Sequence, residues 1–336
     1  MKIKYCGAKG AGWGWGVFGE SIARELAKLG VLTENAADAD VALIPLADHD
    51  LNAGSPVRAK VNLAVCFFEF ELGPNAAANA AKYDVVFAGS TWCLDRLAER
   101  GIYNTALLIQ GVDSGVFSPQ PKRKPDGQFR IFSGGKFEYR KGQDLVIAAF
   151  REFAKTHPEA HLVCSWFNPW PGLFADMMKI SRLRQPQWNV YETQERFFFD
   201  LMTANGLRSD RFTILPQLSH ADLAREMANT DAGLFPNRCE GGTNLVLMEY
   251  ATIGRPVISN VLTGHADVAW AIDYRIAAGI DDKTKWANQS VENIVSAMEL
   301  AWNWRELPLT DNDPVWPWRR TAEKIVTTAR EILYTP

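Results

Sequence analysis

The chain has 336 residues, 47% of them hydrophobic and 22% charged, which is typical of a soluble globular protein with room for two domains. Its formal net charge of −3 gives no electrostatic reason to expect nucleic acid or an anionic membrane as the main partner. No apolar run approaches the roughly 20 residues of a membrane span, so only peripheral membrane contact is left open. The five cysteines are scattered and odd in number, which favours reduced thiols in a cytoplasmic protein.

Short apolar runs alternate with helical patterns along the whole chain, which indicates parallel β-α-β units. The segment 119–128 interrupts this pattern with three prolines, a charge run and a glycine, and it is the best candidate for a linker. We therefore expect an α/β fold of two doubly wound domains, 1–118 and 129–315, that face each other across a cleft. The segment 316–336 contains one more amphipathic helix, which we expect to pack back toward the first domain.

The predicted elements follow from apolar periodicity. In the first half, strands are predicted near 2–6, 41–45, 61–67, 84–88 and 105–109, and helices near 18–29, 75–82 and 91–100. In the second half, strands are predicted near 129–133, 160–165, 188–191, 212–215, 232–235, 256–259 and 275–278, and helices near 143–156, 195–205, 220–228, 244–253, 290–303 and 316–333.

The turn that begins at Glu240 is the most informative feature of the sequence. A strand-like run ends at Pro236, and Glu240-Gly241-Gly242-Thr243-Asn244 leads from it into an apolar helix. Such a turn leaves backbone N–H groups at the positive end of the helix dipole, where a phosphate binds, and Thr243 or Asn244 can cap that end. This turn therefore predicts an anion site.

Glu249 lies inside that apolar helix, between Met248 and Tyr250. A helix that is apolar on nearly every face is buried, and a buried carboxylate is costly unless a partner pairs with it. A hydroxyl group of a ligand would serve as that partner.

A basic turn follows the strand predicted at 129–133. It reads Ser133-Gly134-Gly135-Lys136, and Lys141-Gly142 comes just before the next helix. Two lysines five residues apart can straddle a diphosphate, although a solvated basic turn explains this stretch alone equally well. The turn at Glu240 predicts an anion site in the same domain, and it therefore favours phosphate binding by the two lysines.

The first glycine cluster contains Gly14-Trp15-Gly16-Val17-Phe18-Gly19, a formal match to the dinucleotide fingerprint. The preceding strand is predicted to end near Cys6, so the tight strand-turn-helix geometry of that fingerprint is missing. We expect a flexible loop over the cleft instead, with the backbone of Gly14 and Gly16 against a bound diphosphate. Trp15 either stacks on a sugar or anchors the loop.

Three further features leave their roles open. Glu69 and Glu71 point the same way on the strand predicted near residue 67, where they contact an acceptor or have a structural role. The stretch from Trp166 to Pro171 either wraps a nucleobase or packs its own loop. Asp-x-Asp triplets at 38–40, 48–50 and 311–313 are too common to be informative, and no metal site is predicted.

Together these motifs resemble the retaining glycosyltransferases of family 4, which have two Rossmann-like domains in the architecture called GT-B. The likeness spans most of residues 84–260. It is carried by Gly135-Lys136, Lys141-Gly142, Glu240 with its glycine turn and Glu249, and also by Ala88-Gly89-Ser90-Thr91-Trp92 and by Gly111-Val112-Asp113 with Phe117 and Pro119. Two departures are visible: eight residues rather than seven separate Glu240 from Glu249, and Lys136 stands where the family usually has arginine.

The resemblance implies an acceptor side in the first domain and a donor side in the second. Lys136 and Lys141 would neutralise the departing nucleoside diphosphate, Glu240 would face the donor sugar, and Glu249 would hold the ribose hydroxyls. The implied donor-binding residues are Gly14, Gly16, Gly135, Gly241, Gly242, Thr243, Asn244 and Glu249. Trp15 and Glu69 are the candidates for acceptor contacts.

The function implied is transfer of a sugar from a nucleoside-diphosphate sugar to a hydroxyl acceptor, with anomeric retention and without a metal or other cofactor. The acceptor would be a saccharide, a lipid-linked molecule or a small molecule. Two alternatives remain. One is an NAD(P)-dependent oxidoreductase that uses the glycines at 14, 16 and 19, and the other is a non-catalytic protein that binds sugar nucleotides.

Overall fold

The computed structural model describes residues 1–10, 12–53, 59–121, 123–170, 177–184, 186, 193–305 and 316–334. The chain forms two compact units: Met1–Asp113 with Gly241–Leu245 and Val315–Pro336, and Ser114–Glu240 with Val246–Pro314. Each unit is built on a parallel sheet, so the predicted α/β class with two sheet-based domains is confirmed.

In the described part of the first unit, five parallel strands lie in chain order. The elements are β1 (Ile3–Tyr5), α1 (Gly14–Lys28), β2 (Val41–Leu46), β3 (Val61–Cys66), α2 (Ala76–Ala80), β4 (Val85–Ala88), α3 (Thr91–Glu99), β5 (Thr105–Leu107) and the C-terminal helix (Trp318–Tyr334).

Side chains alternate between the two faces of this sheet, because successive residues of a strand point to opposite sides. In β3, Leu63 and Val65 belong to the core beneath α1 and the C-terminal helix. Ala64 and Cys66 belong to the core beneath α2 and α3. Burial on both faces explains why this strand is a continuous apolar run rather than an alternating one.

The C-terminal helix completes the first of these two cores. Trp318, Ile325 and Ala329 are buried with Phe18 and Ile22 of α1. Each of the large apolar side chains contributes about 1.5–3 kcal/mol relative to exposure, so this helix is an integral part of the unit.

In the second unit, six described strands form a sheet in the order β11-β10-β9-β6-β7-β8. The elements that follow β5 in the chain are β6 (Phe129–Lys136), α4 (Gln143–Phe153), β7 (Ala160–Phe167), α5 (Gln194–Ala204), β8 (Phe212–Ile214), α6 (His220–Ala228), β9 (Ala232–Phe235), α7 (Leu245–Thr252), β10 (Val257–Ser259), β11 (Tyr274–Arg275), β12 (Gly279–Ile280), β13 (Ala287–Asn288) and α8 (Val291–Asn303).

The central strand β6 is buried on both faces. Phe129 and Ile131 lie in the core that α4, α5 and α8 form on one side. On the other side Phe132 stacks on Tyr250 of α7, with ring centroids 5.3 Å apart, and the Tyr250 hydroxyl lies 2.8 Å from Thr230 Oγ1. The end of this strand is therefore fixed from both sides, and it positions the residues that follow.

Several predicted boundaries are corrected. Strand β6 continues to residue 136 instead of ending at 133, so Lys136 belongs to the strand itself. Helix α1 begins at Gly14 rather than near 18. Strand β3 ends at Cys66, so Glu69 and Glu71 lie in the segment after it rather than on the strand. The strand predicted at 188–191 lies outside the described residues.

Within the described residues, no helix combines the length and the apolar character that crossing a bilayer requires. All five cysteine side chains carry free thiols, and four of them are buried.

Candidate active site

The sheet of the second unit reverses its winding between β6 and β9. From β6 the chain adds β7 and β8 on one side, and then returns to add β9, β10 and β11 on the other. Ligands of doubly wound sheets bind at such switch points, beyond the carboxyl ends of the strands. Lys136 is the last residue of β6 and Glu240 follows β9, so the two lie on either side of this point.

Glycines allow the two turns at the switch point to approach each other closely. Gly142 adopts a left-handed conformation with φ of +75°, which disfavours residues with a Cβ. A Cβ at this position would also overlap the carbonyl oxygen of Pro236 in the turn after β9. Gly135 has φ of +117° and lets β6 pass directly into the basic turn.

Lys136 is the more accessible of the two predicted lysines, with 30% of its side chain exposed. Its Nζ lies 3.2 Å from Glu138 Oε2 and 5.0 Å from the centroid of the Trp170 ring. The ammonium group is therefore held at the end of β6 but remains open to a ligand.

Lys141 and Glu240 form a buried ion pair. Lys141 Nζ lies 2.6 Å from Glu240 Oε1, and their side chains are 10% and 5% exposed. Asn237 Nδ2 donates to the same carboxylate oxygen. Burial by itself raises the pKa of Glu240, but the neighbouring charges of Lys141 and Arg140 outweigh it and lower the pKa to about 2. Glu240 is therefore ionised at neutral pH.

Arg140 is a site residue that the sequence analysis missed. Its guanidinium bridges two carboxylates, with Nη1 3.0 Å from Glu240 Oε2 and Nη2 2.6 Å from Glu138 Oε1. Nη1 also donates to the carbonyl of Cys239 at 3.2 Å. In the sequence this arginine is indistinguishable from a solvated residue of a basic turn, and Glu138 gives no signal of its own.

A second buried arginine joins the two turns. Arg238 pairs with both carboxylate oxygens of Asp144 at 2.8 Å, and its guanidinium carbon lies 3.8 Å from the centroid of the Tyr139 ring. Its backbone N–H donates to the carbonyl of Arg140 at 2.7 Å. The turn after β6 and the turn after β9 therefore form one rigid structure that carries Lys136, Lys141 and Glu240.

His265 lies beneath Glu240 and is fully buried. Its Nδ1 lies 2.9 Å from Ser259 Oγ at the end of β10. Burial lowers the pKa of His265 to about 4, so the imidazole is neutral at physiological pH. The two residues before His265 hold the backbone of Glu240 in place. The Glu240 N–H donates to Thr263 Oγ1, and its carbonyl accepts from the Gly264 N–H.

Glu249 occupies α7, and it is only 7% exposed, as the apolar character of the helix predicts. Its neighbours Met248 and Tyr250 are fully buried. The structure therefore confirms that this carboxylate is buried, and the predicted contact of Glu249 with a ligand hydroxyl was based on that burial.

The segment Gly241–Leu245 belongs to the first unit. The Gly241 N–H donates to Glu69 Oε1 at 3.2 Å, and the Gly241 carbonyl accepts from Ser90 Oγ at 2.8 Å. The amide that was predicted to receive an anion thus already binds a carboxylate. Thr243 and Asn244 are buried, and Asn244 has φ of +62°, which an asparagine tolerates better than most residues.

The two glycines of this segment have close neighbours. A Cβ at Gly241 would overlap the backbone of Phe68, whereas one at Gly242 would meet the side-chain oxygen of Gln110, which is the end of a flexible side chain. Gly241 is therefore required for packing within the first unit.

The N-terminal glycine cluster is helical from Gly14 onward, where the sequence analysis expected a loop. A Cβ at Gly16 would overlap the carbonyl of Gly10, whereas Gly14 has open space around it. Trp15 packs against Phe67 with ring centroids 4.6 Å apart, which is the predicted anchoring role. The contacts of Gly16 therefore indicate packing and do not favour a dinucleotide site.

No group of three or more His, Cys, Asp and Glu side chains suited to a metal ion occurs within the described ranges. The candidate site there consists of cations and carboxylates at the switch point.

Comparison with known proteins finds a match to a glycosyltransferase family, most of it within the second unit. Residues 117–274 match the family described as Glycosyl transferases group 1. A glycogen synthase of Mycobacterium tuberculosis is 23% identical over 164 residues. That match covers 49% of this chain and 33% of the synthase, so the chain aligns with about a third of the length of this relative.

Solved structures identify the fold as GT-B. The sucrose-phosphate synthase of Thermosynechococcus elongatus superposes with a TM-score of 0.64 and 14% identity, over 100% of both chains. The Anabaena protein HepE, solved in complex with UDP, superposes with a TM-score of 0.59 and 14% identity, over 100% of this chain and 99% of its own. The chain thus has the GT-B fold, and residues 117–274 match the group 1 glycosyltransferase family.

Proposed function

We propose that this protein transfers a sugar from a nucleoside-diphosphate sugar to a hydroxyl acceptor, with retention of the anomeric configuration and without a metal ion. The proposal rests on one observation, the three cations Lys136, Arg140 and Lys141 at the switch point of the second sheet. Within the part of the chain that the structure describes, these cations pair with the carboxylates of Glu138 and Glu240. The UDP bound to HepE supports a nucleoside diphosphate as the anionic ligand.

The two lysines have different roles in this proposal. Lys136 is exposed enough to contact the diphosphate directly, whereas Lys141 is buried and holds Glu240 in place. Charge grows on the diphosphate as the glycosidic bond loosens, and cations that are already fixed stabilise that charge without reorganisation. The acceptor's proton passes to the departing phosphate oxygen, so no dedicated protein base is required.

Glu240 faces the donor sugar in this mechanism. Its pKa of about 2 keeps it ionised, so it accepts hydrogen bonds from sugar hydroxyls and stabilises positive charge on the sugar ring rather than donating a proton. Glu249, which is buried in α7, holds the ribose hydroxyls of the donor.

The test is a panel of UDP, GDP, ADP and TDP sugars, with ligand binding read from thermal stabilisation and turnover from nucleoside diphosphate release. Lys136→Ala should lower turnover by roughly 100- to 1000-fold, as expected when a preorganised charge is lost. Lys155→Ala is the matched control, because Lys155 is an exposed lysine of the same unit whose ion pair lies away from the site, with Glu152. Full activity of Lys136→Ala would refute the phosphate assignment, and binding without turnover would favour a non-catalytic binding protein.

A further inference from the structure

Trp170 is a large aromatic side chain that stays exposed beside the cations of the candidate site. It is 45% exposed, and Lys136 Nζ lies 5.0 Å from its ring centroid. Trp166, four residues earlier, is buried against Phe137 and Phe198. Trp166 therefore has a packing role, whereas the exposed part of the Trp170 ring is left available to a ligand.

The backbone that carries Trp170 is held in place before any ligand arrives. Asn168 is 1% exposed, its Nδ2 donates to the carbonyl of Phe137 at 2.7 Å, and its Oδ1 accepts from the Trp170 N–H at 2.9 Å. Gln194 exchanges two hydrogen bonds of 2.9 Å with the backbone of Asn168. Because Phe137 follows Lys136 directly, this network fixes the tryptophan relative to the end of β6.

The position of Trp170 in the sheet indicates which part of a donor it would meet. Strand β6 lies between β9 and β7, Glu240 follows β9, and Trp170 follows β7. A diphosphate at Lys136 therefore has Glu240 on one side and Trp170 on the other. If the sugar lies toward Glu240, the nucleoside lies toward Trp170.

We propose that Trp170 stacks on the nucleobase of the nucleoside-diphosphate donor. The inference rests on the proposed function, because it takes the diphosphate to lie at Lys136. Every base has a π face, so stacking on an indole adds affinity for nucleoside diphosphates of any base and none for pyrophosphate alone.

The experiment compares dissociation constants for UDP, GDP, ADP and inorganic pyrophosphate, measured by calorimetry on the full chain. Trp170→Ala should weaken binding of each nucleoside diphosphate by roughly 10- to 100-fold and leave pyrophosphate binding within about twofold. Trp170→Phe retains an aromatic ring and should recover most of the affinity. The control is Trp304→Ala, since Trp304 is another exposed tryptophan of the same unit, at the end of α8.

Three outcomes would overturn the inference while leaving the proposed function in place. Equal weakening of UDP and pyrophosphate would mean that Trp170 acts only through Lys136. Unchanged affinity for nucleoside diphosphates in Trp170→Ala would exclude stacking on the base, and a raised KM for the acceptor alone would assign the ring to the acceptor. If the wild-type protein binds neither pyrophosphate nor any nucleoside diphosphate, both proposals fail.

Discussion

Replacement of Lys141 by alanine tests whether its buried pair with Glu240 organises the candidate site. Nζ and Oε1 are 2.6 Å apart, and both side chains are nearly inaccessible. Loss of one partner from a buried ion pair costs about 3–5 kcal/mol, because the remaining charge is left uncompensated. Since Arg140 still contacts the carboxylate at 3.0 Å, we expect the lower end, a loss of about 3 kcal/mol in the free energy of unfolding.

The pKa of Glu240 gives an independent value for this loss in the free energy of unfolding and also predicts its pH dependence. The pKa is lowered from 4.5 to about 2 against the opposing effect of burial. That difference corresponds to about 3 kcal/mol of stability, shared among the cations that surround the carboxylate. A carboxylate with a depressed pKa contributes stability above its unfolded-state pKa and loses it as the pH falls. The cost of Lys141→Ala should therefore be complete at pH 7 and shrink below about pH 4.5.

The assay is urea unfolding followed by circular dichroism at pH 7 and pH 4, with Lys155→Ala as the control. Glu240→Gln and the double variant complete a mutant cycle, for which we expect a coupling energy of roughly 2 kcal/mol. A loss below about 0.5 kcal/mol for Lys141→Ala at pH 7, together with a coupling energy near zero, would refute the reasoning.

Three further predictions follow from the second unit. Glu249→Gln should weaken UDP binding roughly tenfold and leave pyrophosphate binding unchanged, and an unaltered UDP dissociation constant would contradict a ribose contact. The pKa of His265 is about 4 in the folded protein, against an ordinary value of 6.5. As the pH falls below 6.5, the unfolded state therefore takes up the proton first, and the free energy of unfolding decreases. The wild type should therefore lose about 1.5 kcal/mol more than His265→Gln between pH 6.5 and pH 5 in urea unfolding, and parallel curves would refute this. Gly142→Ala should cost at least about 2 kcal/mol, from left-handed strain and overlap with Pro236, whereas Gly254→Ala, with φ of +80° and open space, should cost only about 1 kcal/mol. Equal costs for the two alanine variants would exclude the overlap.

The features that were read correctly from the sequence depend on local pattern. The apolar run of β3 predicted a strand because both faces of the sheet are covered. The apolar surroundings of Glu249 predicted its burial, because most of this helix packs against the rest of the protein. The glycines before Lys136 and after Lys141 predicted a turn at the carboxyl end of β6, although the strand runs three residues further than its apolar residues indicate.

The features that were missed depend on partners that lie far away in the chain. Arg140 has the same local sequence whether it is solvated or bonded to Glu240, one hundred residues later. The glycines at 14 and 16 suggested a mobile loop, because glycine itself does not indicate whether it permits motion or close packing. Here Gly16 contacts the carbonyl of Gly10, which settles the question in favour of packing.

The place of the C-terminal helix has a consequence for how the protein is made. Trp318, Ile325 and Ala329 share a core with Ile3 and Phe18 near the other end of the given sequence. The buried core residues described for the second unit run from Phe129 to Ala301, so all of them lie between these two parts of the first core in the chain. One face of the first sheet is therefore completed only after the second unit has been synthesised, and until then its apolar surface is open to aggregation.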